Sequence, residues 1–220
     1  MHKIAFYDLD KTITARATWT PFLIAAARAR APWRLGLLPV AGGWGAAHKL
    51  GLASRASVKA RAQRLLIGRA LPDAARRQLA ERFAARVALR PGALERIAAD
   101  RAEGFTLVLA TASFGYYATA IATRLGFDAV IATEAARAAD GAWAPRVAGD
   151  NCYGAAKLAM ITAWLADRGI DRGGARLRFY SDHVSDAPTL GWVDEAFAVN
   201  PDRRLRRLAK AKGWPVLDWR

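Results

Sequence analysis

Short apolar runs alternate with longer segments of helical periodicity along most of the chain. The short runs predict buried strands, and they lie at residues 4–7, 105–110, 128–131, 177–180, 196–199 and 215–217. Helices are predicted between them at residues 91–103, 114–125, 151–168 and 202–212. An Asp-Gly pair at residues 140–141 predicts a hairpin turn after the third strand. Strands that alternate with helices predict an α/β fold, a Rossmann-like parallel sheet with helices on both faces.

A helical, alanine-rich segment separates the first strand from the second. It is interrupted by prolines and glycines, and its last part carries apolar residues at four-residue spacing between Leu79 and Val87. That spacing is typical of an amphipathic helix. We therefore predict an all-helical cap over residues 15–88, inserted into a core formed by residues 1–14 and 89–220.

Composition narrows the class of protein. The chain has 220 residues, of which 53% are hydrophobic, so it can bury a core and is not a disordered chain. The single cysteine, Cys152, cannot form an internal disulfide, and the three residues before the first strand leave no room for a cleavable apolar leader, so we do not expect secretion. The longest apolar run, residues 35–47, contains proline and glycines and is shorter than the roughly 20 residues of a spanning helix. We expect a cytoplasmic protein, with peripheral contact at the inner membrane face left open.

Positive charge is concentrated in the predicted cap. The net charge is +15, from 34 basic and 19 acidic residues. Residues 13–72 contain no acidic residue and ten basic ones: Arg16, Arg28, Arg30, Arg34, Lys49, Arg55, Lys59, Arg61, Arg64 and Arg69. A polyanionic partner would explain this distribution, whether an anionic membrane, a nucleic acid or a charged substrate. A surface that is simply solvated by arginine explains it equally well.

Acidic residues follow the first predicted strand and a later one. Asp8 and Asp10 end the run that opens the chain, and Asp182 and Asp186 follow the strand at residues 177–180. Ligands of open α/β sheets bind at the carboxyl ends of the strands. Two acids so close together repel each other unless a cation lies between them, and Mg2+ is a hard cation that prefers oxygen ligands.

A hydroxyl and an amine complete the candidate site. Thr111 follows the second strand, and Lys157 lies in a predicted helix that begins near Asn151. In this order the four motifs resemble those of the haloacid dehalogenase superfamily. They are most similar to the phosphoserine-phosphatase-like branch, subfamily IB, whose helical C1 cap is inserted after the first motif. The resemblance covers nearly the whole chain, and only the cap matches loosely.

The resemblance implies a reaction and a role for each motif. It implies that Asp8 attacks phosphorus and becomes an aspartyl phosphate, while Asp10 acts first as acid and then as base. Thr111, Lys157 and, less directly, Ser113 would bind phosphoryl oxygens. The resemblance further implies a Mg2+ cofactor held by Asp8, Asp10 through its backbone carbonyl, and Asp182. Asp186 would assist from the same loop.

Structural roles compete with these catalytic roles. Asp10, Thr12 and Asp186 could be helix or turn caps, and a lysine such as Lys157 is common on solvated helices. His183 stands where relatives of this branch usually have a small residue, and we favour a loop histidine over a residue that supports the site. For Asp10 we favour the catalytic role over a capping role, and for Thr12 we favour neither of the two roles.

The substrate is left open between several classes. Relatives specific for phosphoserine carry a Glu after the first motif that contacts the substrate ammonium, and the matching position here is Ala17. We therefore favour hydrolysis of an anionic phosphomonoester, either small or lipid-linked, with phosphoserine phosphatase as the alternative. A polyanion-binding or membrane-binding protein with a vestigial site is a further alternative, in which nucleic acid is the less favoured partner. The oligomeric state is not predicted.

Overall fold

The computed structural model of the chain describes residues 1–69, 72–137 and 143–220. The strands found there are β1 (His2–Tyr7), β2 (Thr106–Phe114), β3 (Ala129–Arg137), β4 (Trp143–Ala148), β5 (Ala175–Ser181), β6 (Glu195–Val199) and β7 (Val216–Leu217). Within the described residues they form one sheet in the order β4-β3-β2-β1-β5-β6-β7. Every neighbouring pair is parallel except β3 and β4. The prediction of a parallel α/β sheet is confirmed.

Helices cover both faces of this sheet. They are α1 (Trp19–Arg30), α2 (Leu38–Lys49), α3 (Arg55–Leu66), α4 (Asp73–Ala84), α5 (Pro91–Ala102), α6 (Gly115–Arg124), α7 (Ala155–Ala166), α8 (Ala187–Leu190) and α9 (Arg203–Lys212). Side chains alternate along β1, so that Tyr7 joins the larger apolar cluster with α5, α6 and the helices of residues 15–88. Phe6 joins the other cluster, which includes residues of α7 and α9.

The helices between β1 and α5 form the segment that the sequence predicts to be a cap, here called the cap segment (residues 15–88). Its helix α1 packs on the core through Phe22, which stacks on Tyr117 of α6 at a ring separation of 4.6 Å. Phe83 of α4 meets Phe22 edge-on at 5.3 Å. These aromatic contacts attach the segment beside the end of β2. Its division from the core at residues 14 and 89 stays a prediction.

Several predicted bounds differ from the structure. Strand β2 continues four residues past the predicted end at Ala110, and its pairing with β3 shifts register between Thr111 and Phe114. Helix α7 starts at Ala155 and not near Asn151, because Gly154 has a positive φ of 61° that a helix does not continue through. The hairpin predicted after the third strand carries no bounds for its returning strand; that strand is β4, antiparallel to β3 at the edge of the sheet, where its proline is tolerated. The predicted turn at residues 140–141 lies outside the described residues.

None of the helices in the described part of the chain combines the length and the apolar character that crossing a membrane requires.

Candidate active site

The candidate residues from three strands meet at one edge of the sheet. Tyr7 of β1 pairs with Leu109 of β2 and with Tyr180 of β5. Asp8, Thr111 and Asp182 follow these three positions by one or two residues, so the parallel pairing brings them to the same edge. A cavity of about 260 Å3 opens there, lined by Asp8, Asp10, Lys11, Ala17, Ala112, Tyr153, Lys157, Asp182, His183, Ser185 and Asp186.

Lys157 lies at the centre of the buried charges. Its ammonium donates hydrogen bonds to Asp8 Oδ1 at 2.8 Å and to Asp186 Oδ2 at 2.7 Å. The side chain of Lys157 is only 2% exposed. The hydroxyl of Ser181, at the end of β5, also donates to Asp186 Oδ2, at 2.7 Å. Helix α7 therefore places a single amine between carboxylates that come from β1 and from the loop after β5.

The electrostatics of this cluster show an excess of negative charge. Burial raises the pKa of Asp8 to about 8, against the opposing effect of Lys157, and Asp186 and Asp182 raise it further. Burial likewise raises the pKa of Asp182 to about 7. Burial alone would lower the pKa of Lys157, but the carboxylates of Asp186 and Asp8 outweigh it and raise that pKa. The ammonium of Lys157 thus pairs with Asp8 and Asp186, while Lys11 is the cation that most lowers the pKa of Asp182, against the effect of burial.

Asp10 belongs to a separate hydrogen-bond network beside the cavity. The backbone N–H and the hydroxyl of Thr18 both donate to Asp10 Oδ1 at 2.6 Å. Ser113 donates to Asp10 Oδ2 at 2.7 Å and in turn accepts a hydrogen bond from the hydroxyl of Tyr117 at 2.7 Å. The carboxylate of Asp10 is therefore oriented by the start of the cap segment and by β2. Asp10 thus accepts hydrogen bonds from uncharged groups, whereas Asp8 accepts one from the ammonium of Lys157.

The remaining predicted residues occupy defined positions. Thr111 is fully buried, and its hydroxyl oxygen accepts a hydrogen bond from the backbone N–H of Ser113 at 3.0 Å. The hydroxyl of Thr12 lies 3.5 Å from Asp182 Oδ1. His183 accepts from the backbone N–H of Ser185 at 3.1 Å through Nδ1, in the manner of a turn cap. The phosphate contacts predicted for Thr111 and Ser113 and the supporting roles of Thr12 and His183 stay predictions.

The sequence does not predict every polar group at the site: Thr18, Tyr117 and Ser181 are missed, and Lys59 is noted only for its charge. Thr18 precedes α1 and donates to Asp10, which lies eight residues earlier, so no local sequence pattern indicates this contact. Ser181 directly precedes Asp182 at the end of β5, and this position could have indicated that its hydroxyl lies at the site. Lys59 of α3, noted only as a basic residue, is buried and donates to the carbonyl of Ala112 at 2.6 Å and to Asn151 Oδ1 at 2.5 Å. It links the cap segment to the cavity wall.

The donor set fits a hard divalent cation. The carboxyl groups of Asp8 and Asp182 have raised pKa values, and a bound cation would lower these pKa values again. Asp186 Oδ1 is buried and makes no hydrogen bond. No cluster of three or more His, Cys, Asp or Glu side chains arranged for a metal occurs in the described residues. Mg2+ needs only one or two protein carboxylates, so a pair such as Asp8 and Asp182 suits it.

Comparisons with known proteins point to one family. Residues 5–191 match the model of the haloacid dehalogenase-like hydrolases. A histidinol-phosphatase from Neisseria meningitidis is 34% identical over 116 residues, which are 52% of this chain and 52% of that protein. A phosphoserine phosphatase from Mycobacterium tuberculosis is 36% identical over 112 residues, 51% of this chain and 35% of that protein. The aligned region therefore spans about half or less of these relatives.

Solved structures share the fold over the whole chain. A protein of unknown function from Bordetella pertussis superposes with a TM-score of 0.88 at 26% identity and covers 100% of both chains. A phospho-aspartyl intermediate analogue of phosphoserine phosphatase superposes with a TM-score of 0.67 at 17% identity, covering 100% of this chain and 94% of the other. The second likeness concerns the fold alone.

Proposed function

Because the chain belongs to the haloacid dehalogenase-like hydrolase family, we propose that it is a Mg2+-dependent phosphomonoester hydrolase that acts through an aspartyl phosphate on Asp8. The observation that carries this proposal is the pairing of Asp8 with the buried Lys157 beside Asp182 and Asp186. The names of the relatives, histidinol-phosphatase and phosphoserine phosphatase, agree with a phosphatase. A polyanion-binding protein with a vestigial site would need no such buried cluster.

In the proposed reaction Asp8 is the nucleophile. One of its carboxylate oxygens forms a bond to phosphorus while the bond between phosphorus and the leaving oxygen breaks. Lys157 lies 2.8 Å from Asp8 Oδ1 and would offset the negative charge of the phosphoryl group. Mg2+, held by Asp8, Asp182 and the backbone carbonyl of Asp10, would supply further charge neutralisation at the phosphoryl oxygens.

Asp10 is the proposed proton carrier. It would donate a proton to the leaving alkoxide and later take one from the water that hydrolyses the intermediate. This role needs a fixed carboxylate, and the hydrogen bonds from Thr18 and Ser113 fix both of its oxygens. Thr111 is proposed to bind a phosphoryl oxygen from its position within β2, where the register with β3 shifts.

Thr18→Val should therefore lower kcat without a large change in KM. The valine keeps the backbone N–H but loses the hydroxyl that donates to Asp10. Loss of one orienting hydrogen bond should lower kcat about tenfold or more and shift the pH profile of kcat, while Thr18→Ser restores both. Steady-state kinetics of the three proteins would check this. Equal kcat values for the valine variant and the parent would show that the hydroxyl of Thr18 does not orient Asp10 for catalysis.

The substrate that we propose is an anionic phosphomonoester, either small or lipid-linked. Ala17 lines the cavity at the position where phosphoserine-specific relatives carry a Glu, and residues 13–72 contain no acidic residue at all. Lys11 also lines it and adds positive charge. Phosphoserine phosphatase activity is the second candidate, because one relative bears that name. A cytoplasmic location remains part of the proposal.

A substrate panel tests the proposed function. Phosphate release would be measured from phosphoserine, histidinol phosphate, sugar phosphates, lysophosphatidate and phosphatidylglycerophosphate, with Mg2+ and with chelator. We expect turnover that requires Mg2+ and is fastest with an ester lacking a free ammonium. Fastest turnover of phosphoserine would select the second candidate. The absence of release from every ester in the presence of Mg2+ would contradict the enzyme and favour the vestigial site.

A further inference from the structure

A groove on the cap segment lies apart from the catalytic cavity. Its volume is about 420 Å3, and it is lined by Trp33, Arg34, Leu37, Trp44, Arg61, Arg64, Leu65, Gly68 and Arg69. We call it the cap groove. Large apolar side chains in the same segment are unusually exposed: Trp33 is 69%, Leu50 74% and Leu52 78% accessible. The lining of the cap groove itself combines aromatic and aliphatic side chains with arginines.

The arginines of the cap groove are free of acidic partners. Residues 13–72 contain no Asp or Glu, and within the described residues no salt bridge involves Arg61, Arg64 or Arg69. Among the described residues, Arg34 donates to the backbone carbonyls of Arg64 and Leu65. A cluster of uncompensated guanidinium groups attracts phosphate-bearing surfaces.

Helix α3 separates the cap groove from the core. Its buried positions, Lys59, Ala62, Gln63 and Leu66, follow helical spacing and form the inward face, from which Lys59 reaches Ala112 in the wall of the catalytic cavity. Arg61 and Arg64 fall between these positions and are exposed on the outward face. A partner on the cap groove would therefore contact the face of α3 directed away from the core.

We propose that the cap groove is a docking surface for an anionic phospholipid bilayer. Arginine guanidinium groups would contact lipid phosphates, while the exposed Trp33 enters the boundary between headgroups and acyl chains. Nucleic acid offers the same phosphate charge but no apolar layer for these side chains. This binding is independent of the proposed phosphatase chemistry, since it uses none of the residues at the catalytic cavity.

Vesicle co-sedimentation tests the docking surface. The probes are vesicles of phosphatidylglycerol with phosphatidylcholine, and vesicles of phosphatidylcholine alone. We expect the full chain to bind the anionic vesicles at low salt, to lose binding as salt rises, and to ignore the neutral ones. The double variant Arg61→Gln, Arg64→Gln should weaken binding by about fivefold for each arginine removed. Trp33→Ser should weaken it as well, and this exposed position leaves folding intact.

Matched controls distinguish binding through the cap groove from binding through the overall positive charge of the chain. Arg206→Gln with Arg207→Gln removes the same charge from the exposed side of α9 and should leave vesicle binding nearly unchanged. Asp8→Asn should bind vesicles like the parent, so failure of the phosphatase chemistry does not affect this result. The proposal is overturned if the parent does not bind anionic vesicles at low salt, or if the α9 pair weakens binding as much as the cap pair. Binding of single-stranded RNA without vesicle binding overturns it too.

Discussion

Replacing Asp8 by asparagine is expected to abolish phosphate release. The amide is a poor nucleophile toward phosphorus, so no covalent intermediate forms and kcat should fall by at least about 10⁴-fold. Folding should be preserved, because the buried Lys157 keeps its ion pair with Asp186 when Asp8 is replaced by the amide. The measurement is phosphate release with Mg2+ from whichever ester the parent hydrolyses, with thermal unfolding measured in parallel.

Asp167→Asn is the matched control for this substitution. Asp167 is exposed at the end of α7, so its amide variant should keep full activity. If Asp8→Asn retained more than about a tenth of the parent activity, Asp8 could not be the nucleophile. Another group would then have to carry the phosphoryl transfer.

Lys157→Met should cost both stability and activity. The methionine has a similar length but leaves the buried carboxylates of Asp8 and Asp186 without their shared cation. Removing one partner of a buried ion pair typically costs about 3–5 kcal/mol of unfolding free energy. Phosphate release should be lost as well, because the charge that offsets the phosphoryl oxygens is gone. Denaturant unfolding in Mg2+-free buffer would measure the first effect, and a phosphate assay the second.

The pH dependence of that stability has a defined sign. Burial raises the folded-state pKa of Asp8 to about 8 from an ordinary value of 3.8, so the folded protein binds more protons than the unfolded chain between these values. The contribution of Asp8 is therefore most favourable at low pH and is lost as pH rises toward 8. Without Lys157 the pKa of Asp8 should rise further, so the variant should lose more unfolding free energy than the parent as pH rises. On acidification the stability of Lys157→Met should approach that of the parent.

A second substitution separates the charge effect from lost packing. Asp186→Asn, added to Lys157→Met, removes one of the stranded carboxylates and should restore part of the stability but none of the activity. Lys210→Met, at an exposed position of α9, should change neither. A loss below about 1 kcal/mol for Lys157→Met would mean that the buried pairing contributes little.

The presence of the strands and the sheet edge that carries the site were predictable, because apolar runs are local signals; the order of the strands was not predicted. Apolar runs mark buried strands, and parallel pairing then carries Asp8 and Asp182 to the same edge as Thr111. The residues that orient these groups were not predictable in the same way. Thr18 reaches Asp10 only through the path of the chain after β1, and Lys59 reaches Ala112 only once α3 has packed against the core.

Strand and helix ends also depended on tertiary pairing. β2 extends past Ala110 because β3 offers it hydrogen-bond partners up to Phe114, and no pattern within β2 reports the length of its neighbour. Gly154 delays the start of α7, yet it leaves Lys157 in the first turn of the helix, where it faces Asp8 and Asp186. Errors in bounds of this kind did not move the candidate residues away from the site.

The most direct test of the central claim is to trap the covalent intermediate. The protein would be mixed with a hydrolysed ester and Mg2+, quenched, and reduced with borohydride, which converts an aspartyl phosphate into homoserine. Peptide mass spectrometry would then locate the modified residue. The account predicts homoserine at position 8, only when both ester and Mg2+ are present. Continued phosphate release with Asp8 never modified, or with the label on another carboxylate, would contradict it.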